Sequence, residues 1–90
     1  MSIYYVYILE TTTKNDKKKK SYYTGYTNDL YKRWSQHRKG TGAKFCRGKQ
    51  VELKYFETYL DRKTAMNREL EIKSFPRKKK IELIKNFSNS

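Results

Sequence analysis

The chain has 90 residues with a formal net charge of +13, and 36% of its residues are hydrophobic. That length suits one domain over residues 1–90, and so large a charge predicts a polyanionic partner, with nucleic acid favoured over a membrane surface. One cysteine and one histidine exclude a zinc cluster and an internal disulfide, and no apolar run reaches membrane-spanning length, so we expect a cytosolic or nucleoid-associated protein.

The first elements predicted along the chain are two strands joined by a long polar connection. Ile3 to Leu9 is a short run rich in β-formers, which predicts a strand buried on both faces. Glu10 to Lys20 is polar and predicts a loop. Its Lys17–Lys20 run is interpreted first as a solvated loop tip and second as a phosphate contact. Ser21 to Thr27 is again aromatic and β-prone, so it predicts the second strand of a hairpin.

A first helix follows, with an unusual inward face. Asn28 or Asp29 offers an N-cap, and the helix is expected to end before Gly40. At 100° per residue one narrow arc holds Leu30, Arg33, Trp34 and His37. Because the apolar pair must face the sheet, Arg33 and His37 flank or share the buried stripe. An inward arginine needs an anion, which is a phosphate or, in the structural alternative, an internal carboxylate. A further structural alternative is a snorkelling arginine beside an ordinary core histidine.

A basic loop and a third strand come next. Gly40 to Lys49 contains glycine and several cations, which predicts a loop with room for one helical turn. Val51 to Tyr59 predicts a strand with one wetter face. Its expected buried side carries Val51, Leu53 and Tyr55, opposite Glu52, Lys54 and Phe56.

Two helices complete the predicted fold. Asp61 can cap a second helix that runs to about Ser74, and Pro76 suits the first turn of a last helix. That helix would carry Ile81, Ile84 and Phe87. The order β-β-α-loop-β-α-α predicts an α+β fold, in which a small three-stranded antiparallel sheet is flanked by helices.

The second helix places one carboxylate among apolar residues. Its expected apolar arc consists of Ala65, Met66, Leu70 and Ile72. Glu69 projects into this arc, whereas Glu71 points to the opposite, wet side. A carboxylate aimed at a core stays charged only if it is paired or bound to a metal, and Mg²⁺ commonly uses one or two carboxylates with waters and phosphates. The structural alternative is a salt bridge to Arg33 or an i,i+4 pair with Lys73.

Strand alternation brings tyrosines of the first two strands to one face. Tyr5 and Tyr7 share a face of the first strand, and Tyr23 and Gly25 share a face of the second, so pairing places Tyr7 and Tyr23 together. Gly25 weakens a strand unless another chain or a ligand must approach closely. Taken alone, aromatic stripes are more often core than catalytic.

Together these segments resemble the GIY-YIG nuclease family, in particular its small stand-alone bacterial members. The resemblance covers Ile3 to about Leu83. The matching segments, in order, are Tyr5-Val6-Tyr7, Tyr23-Thr24-Gly25, Asn28-Asp29-Leu30-Tyr31-Lys32-Arg33 with His37, and Asn67-Arg68-Glu69 before Lys73. Each triplet is a weak signal, but four elements in order are a strong one.

The name motif departs from the family pattern at three positions. Tyr5 replaces the first glycine, Val6 replaces an isoleucine, and Thr24 replaces the second isoleucine, while both motif tyrosines and Gly25 remain. The excision-repair members of the family carry a lysine where this chain has Tyr26.

The resemblance implies a divalent-metal-dependent endonuclease that hydrolyses DNA phosphodiester bonds. One Mg²⁺ or Mn²⁺ would be held by Glu69, and Arg33 would stabilise the charge that develops on phosphorus. Tyr7 is expected to act as the base, with Tyr23 orienting it and His37 as an auxiliary proton carrier or phosphate contact. A tyrosine with a pKa of about 10 is a poor base at neutral pH, so nearby positive charge must favour its phenolate or it must relay a proton.

Phosphate contacts are expected from the clustered cations, and no obligate protein partner is implied. The residues expected to bind nucleic acid are Lys32, Lys44, Arg47, Lys49, Lys73, Arg77 and Lys78. Such contacts position a protein without reading bases, so recognition should follow the structure of the DNA rather than its sequence. The main alternative is a DNA- or RNA-binding module on the same fold with little turnover. A structural or translation-associated basic protein is a weaker one.

Overall fold

The structure is a computed structural model that describes residues 2–13, 19–39 and 49–88. Its elements are β1 (Tyr4–Thr13), β2 (Lys20–Thr27), α1 (Leu30–Arg38), β3 (Lys49–Tyr59), α2 (Arg62–Lys73) and α3 (Arg77–Ser88). The strands form one antiparallel sheet in the order β2-β1-β3, so the predicted α+β class and element order are confirmed. The predicted loop over residues 40–48 lies outside the described residues.

β1 is the central strand, and the prediction that it is buried on both faces is confirmed. Four consecutive residues, Val6 to Leu9, are at most 1% exposed, because helices cover both faces of the sheet. The predicted end of the strand at Leu9 is wrong, since β1 continues to Thr13. Polar residues continue the strand because neighbours on both sides satisfy its backbone groups, and Thr11 pairs with Ser21 and Val51.

β3 carries a β-bulge that changes the side on which its residues point. Tyr55 pairs with Ile8 and Leu53 pairs with Leu9, so Lys54 is the extra residue of β3. Paired residues of antiparallel strands point to the same face, and an extra residue reverses the alternation beyond it. The predicted grouping of Tyr55 with Val51 and Leu53 is therefore wrong, and Phe56 takes its place beside them.

The two faces of the sheet carry separate apolar clusters. One cluster centres on Tyr7, Leu9 and Val51, and Leu30 and Trp34 of α1 pack against it as predicted. The opposite cluster consists of Val6, Ile8, Tyr55, Ala65 and Ile72, with Leu83 and Ile84 of α3 packed against it. Hence α1 covers one face, and α2 with α3 covers the other.

The predicted apolar arc of α2 is only half correct. Ala65 and Ile72 are fully buried, but Met66 is 38% and Leu70 62% exposed. Helix arithmetic gives the angle of a side chain, whereas burial depends on how wide a stripe the sheet covers. Here the covered stripe is narrower than the apolar arc.

Both predicted N-caps are present and fix where α1 and α2 begin. The Asp29 carboxylate accepts from the backbone N–H of Lys32 at 3.1 Å. The Asp61 carboxylate accepts from the N–H groups of Lys63 and Thr64 at 2.9 and 3.2 Å. Each cap satisfies donors that a helix end otherwise leaves unpaired. Among the described residues, no helix has the length and apolarity needed to cross a membrane.

Candidate active site

Tyr7, Tyr23 and His37 meet beneath the last turn of α1, on the face of the sheet that α1 covers. The Tyr7 hydroxyl shares a hydrogen bond of 3.0 Å with Nε2 of His37, across 30 residues of sequence. The Tyr23 ring centroid lies 6.5 Å from that of Tyr7 and 5.2 Å from that of His37. Tyr7 is 1% exposed and His37 fully buried. The pairing of Tyr7 with Gly25 and of Leu9 with Tyr23 confirms that both motif tyrosines share a face.

Gly25 makes room for the Tyr7 ring. A Cβ atom added at Gly25 would lie 2.5 Å from the Tyr7 hydroxyl oxygen and 2.7 Å from its Cζ. The close approach expected at Gly25 is thus made by Tyr7 of the neighbouring strand β1, whose ring lies over β2 where Gly25 has no side chain.

Burial controls the protonation of this cluster. It raises the pKa of Tyr7 to about 12, with Tyr23 and Glu69 acting in the same direction, while a hydrogen bond from Arg33 and its positive charge oppose the shift. Burial, followed by the charge of Arg33, lowers the pKa of His37 below its ordinary 6.5. Near neutral pH the hydroxyl of Tyr7 is therefore protonated and His37 is neutral.

Arg33 is half-buried at the edge of this cluster. One of its guanidinium nitrogens donates to the side-chain oxygen of Gln36 at 3.3 Å. The internal carboxylate of the structural alternative is absent among the described residues, where every salt bridge involves other cations. Its charge nevertheless reaches both Tyr7 and His37. Such an arginine retains the capacity to bind an anion.

The two glutamates of α2 differ in exposure as the helical phase predicts. The Glu69 side chain is 14% exposed, whereas that of Glu71 is 57% exposed. Glu69 lies near enough to Tyr7 to raise its pKa. It also forms the i,i+4 pair with Lys73 that the structural alternative names, at 3.6 Å. With Lys73 about half exposed, that pair is worth at most about 0.5 kcal/mol.

The site suits a divalent cation that is held by a single protein carboxylate. Within the described ranges, no group of three or more His, Cys, Asp or Glu side chains is placed to hold a metal ion. The charge of Glu69 acts on Tyr7, and a single carboxylate suits Mg²⁺, which keeps several waters and shares substrate phosphates.

The cations predicted to bind nucleic acid are spread around the sheet. Lys32 and Lys78 are exposed, and Lys49 is half-buried at the start of β3. Arg77 lies over the Tyr22 ring, at 5.5 Å from its centroid, and donates to the backbone carbonyl of Lys20 at 2.5 Å. Lys44 and Arg47 lie outside the described residues, as do Lys17 and Lys18.

One polar network beside the site has no signal in the sequence. The Glu57 carboxylate accepts two hydrogen bonds of 2.9 Å from the guanidinium of Arg68, and further ones from the hydroxyls of Tyr55 and Tyr59. Arg68 in turn pairs with Glu71. A bidentate arginine–carboxylate pair is rigid. It fixes α2 against β3 at the residue that precedes Glu69.

Comparison with known proteins gives one consistent result. Residues 3–82 match the family model of the GIY-YIG catalytic domain. The chain is 44% identical over 81 residues to a UPF0213 protein of Haloquadratum walsbyi, in a match that covers 89% of this chain and 84% of that protein. It is also 44% identical over 81 residues to a UPF0213 protein of Clostridium perfringens, where the match covers 89% of this chain and 81% of that protein. It is also similar to the solution structure of a UPF0213 protein from Bacillus halodurans, with 38% identity, a TM-score of 0.53, and coverage of 92% of this chain and 83% of the other.

Proposed function

Because this chain belongs to the GIY-YIG catalytic domain family, we propose that it is a divalent-metal-dependent endonuclease that hydrolyses DNA phosphodiester bonds. The observation that carries the proposal is the buried hydrogen bond between Tyr7 and His37, within electrostatic reach of Glu69. It lies next to Arg33, which forms no salt bridge with any carboxylate of the described residues. A protein that only binds nucleic acid has no need to bury a tyrosine–histidine pair between a cation and a carboxylate.

The charges of the site have complementary roles. Arg33 is placed to stabilise negative charge that develops on the phosphoryl oxygens, where a preorganised donor has its largest effect. Glu69 would hold one Mg²⁺ or Mn²⁺. When bound, that ion supplies positive charge to the phosphate and to the leaving oxygen. Lys73, which pairs with Glu69, would contact the phosphate backbone instead once that carboxylate is engaged.

Proton transfer is the task of Tyr7 and His37. In the resting protein the proton belongs to Tyr7, whose pKa is about 12, while His37 is neutral. Tyr7 takes a proton from the attacking water as its own hydroxyl proton passes to Nε2 of His37, so the ring oxygen never has to carry a full charge. The full burial of His37 favours this carrier role over a phosphate contact. Tyr23, packed against both rings, holds them in register.

The rival proposal is a DNA- or RNA-binding module with little turnover. The observation that favours it is the raised pKa of Tyr7, because a tyrosine that holds its proton so firmly is a weak base until positive charge arrives. Both proposals predict steep salt dependence of binding, since phosphates dominate the affinity of so basic a chain.

A cleavage panel separates the two proposals. Plain duplex, branched, nicked and single-stranded DNA, together with RNA, would be incubated with the protein in Mg²⁺, in Mn²⁺ and in chelator. We expect metal-dependent cutting that differs among DNA structures but not among sequences of the same structure. Tight binding without cutting in any arm would favour the binding module, and cutting in chelator would contradict the metal requirement.

A further inference from the structure

Arg33 also lines a cationic pocket where the end of β2 meets the start of α2. It is open, has a volume of about 490 Å³, and is lined by Tyr4, Tyr26, Thr27, Asn28, Arg33 and Arg62. Two of these residues are arginines and none is acidic. Arg62 begins α2, 29 positions along the chain from Arg33, so the pocket exists only because α2 begins beside the end of β2.

Arg62 is held in place by a neutral partner. Its Nε and one terminal nitrogen both donate to the Tyr26 hydroxyl oxygen at 3.4 Å. No carboxylate among the described residues forms a salt bridge with Arg62 or with Arg33. Because a guanidinium has five N–H donors, Arg62 has others left for a ligand. The Tyr26 oxygen accepts both bonds, so the O–H of Tyr26 can itself donate to an acceptor in the pocket.

The chemistry of this pocket selects an anion with several oxygens. Two guanidinium groups directed at one space repel each other until negative charge enters, and phosphate is the anion that matches their planar donor geometry. A smaller pocket, of about 310 Å³, shares Thr27, Asn28 and Arg33 and is completed by Asp29, Lys32 and Gln36. The Asp29 carboxylate caps α1 by accepting from the Lys32 N–H. Arg33 lines both pockets, with Arg62 in one and Lys32 in the other, so three cations line two adjoining pockets.

We propose that Arg62 and Tyr26 form a subsite for a second phosphate of the bound strand, one nucleotide away from the phosphate that Arg33 contacts. This inference rests on the proposed function, which puts the scissile phosphate at Arg33. The subsite grips the backbone and not a base, so it fixes the strand across the site without adding sequence specificity.

The test uses two small probes that need no turnover. Thymidine 3′,5′-bisphosphate carries two phosphates one nucleoside apart, and thymidine 5′-monophosphate carries one. Binding of each would be followed by NMR titration at low salt for the wild type and for Arg62→Gln, Tyr26→Phe and Lys63→Gln. Lys63→Gln is the matched control, because it removes one exposed charge from the same helical turn and does not line the pocket.

We expect the wild type and Lys63→Gln to prefer the bisphosphate by about tenfold or more, as one charge-assisted contact provides. Arg62→Gln should lose most of that preference, and Tyr26→Phe part of it. Equal preference in Arg62→Gln and Lys63→Gln would overturn the subsite, and so would a wild type that binds both probes alike. The cleavage panel judges the nuclease proposal separately, since a protein that shows the expected preference but cuts nothing supports the subsite and contradicts the enzyme.

Discussion

Replacing Gly25 with alanine tests whether the Tyr7 ring occupies the space that a side chain at position 25 would need. The backbone at Gly25 is outside the left-handed region, so alanine is not strained there, and in an ordinary strand the change would stabilise the protein by about 0.5–1 kcal/mol. The added Cβ, however, would lie 2.5 Å from the Tyr7 oxygen and 2.7 Å from Cζ, well inside van der Waals contact. Destabilisation by alanine would therefore indicate the close contact between Gly25 and Tyr7, whereas stabilisation would indicate an ordinary strand position.

The magnitude follows from how tightly Tyr7 is enclosed. Tyr7 is 1% exposed and cannot swing outward, so the clash must shift packed atoms, which costs about 1–3 kcal/mol. A destabilisation of about 2 kcal/mol lowers the melting temperature of a domain of this size by about 10 °C. The 3.0 Å hydrogen bond between Tyr7 and His37 would also break. Misplacing a catalytic group by about 1 Å lowers the rate by about 10²-fold.

The assay is urea denaturation of Gly25→Ala in the wild-type and Tyr7→Phe backgrounds. Phenylalanine removes the nearest atom but keeps the ring, so the cost of the alanine should fall by about 1 kcal/mol in the double variant. A Gly25→Ala protein as stable as wild type, or one whose cost is the same in both backgrounds, would refute the proposed packing.

Three further predictions follow from the described contacts. Thr24→Val should raise stability by about 1 kcal/mol, because the buried Thr24 hydroxyl has no hydrogen-bond partner among the residues that the structure describes. Thr11→Val loses a hydrogen bond to the Ser21 carbonyl and should not raise stability. A lower melting temperature for Thr24→Val would contradict this. Because the pKa of His37 is lowered in the folded protein, the unfolded chain binds the proton of His37 more tightly, and stability should fall as pH drops through 6.5. This pH dependence should vanish in His37→Gln. The chain has one histidine, so NMR titration reads its pKa directly, and a pKa above 6.5 would contradict the assignment. Arg33→Ala should lower the single-turnover cleavage rate by about 10²-fold with a much smaller loss of DNA binding. Lys32→Ala should instead weaken DNA binding more than it lowers the cleavage rate. An unchanged cleavage rate for Arg33→Ala would reduce Arg33 to a structural role.

Local patterns in the sequence were sufficient to predict the elements of the fold. The caps at Asp29 and Asp61, and the apolar run of β1, each depend on a few neighbouring residues, and the structure confirms them. The bulge at Lys54 could not be predicted, because a one-residue irregularity reverses the alternation and leaves no local signal. The polar continuation of β1 to Thr13 was missed since its pairing partners lie elsewhere in the chain.

The candidate site was predictable in its members but not in its contacts. Helical phase and strand alternation separately turned Tyr7, His37 and Glu69 inward, and their exposures agree. The hydrogen bond between Tyr7 and His37 joins two elements whose relative placement depends on the packing of α1. The contact of Arg62 with Tyr26 spans 36 residues, and a sequence alone gives no reason to connect them.

The most direct test of the nuclease account is metal-dependent cleavage by Glu69→Gln beside Glu71→Gln. A neutral amide binds a hard cation far less well than a carboxylate, so Glu69→Gln should abolish Mg²⁺-dependent cleavage. The fold should survive, because only the half-exposed pair with Lys73 is lost, and DNA binding should persist or tighten as a negative charge is removed. Glu71→Gln, at a 57% exposed side chain, should leave folding, binding and cleavage nearly unchanged. A folded Glu69→Gln protein that cuts DNA with normal metal dependence would contradict the account.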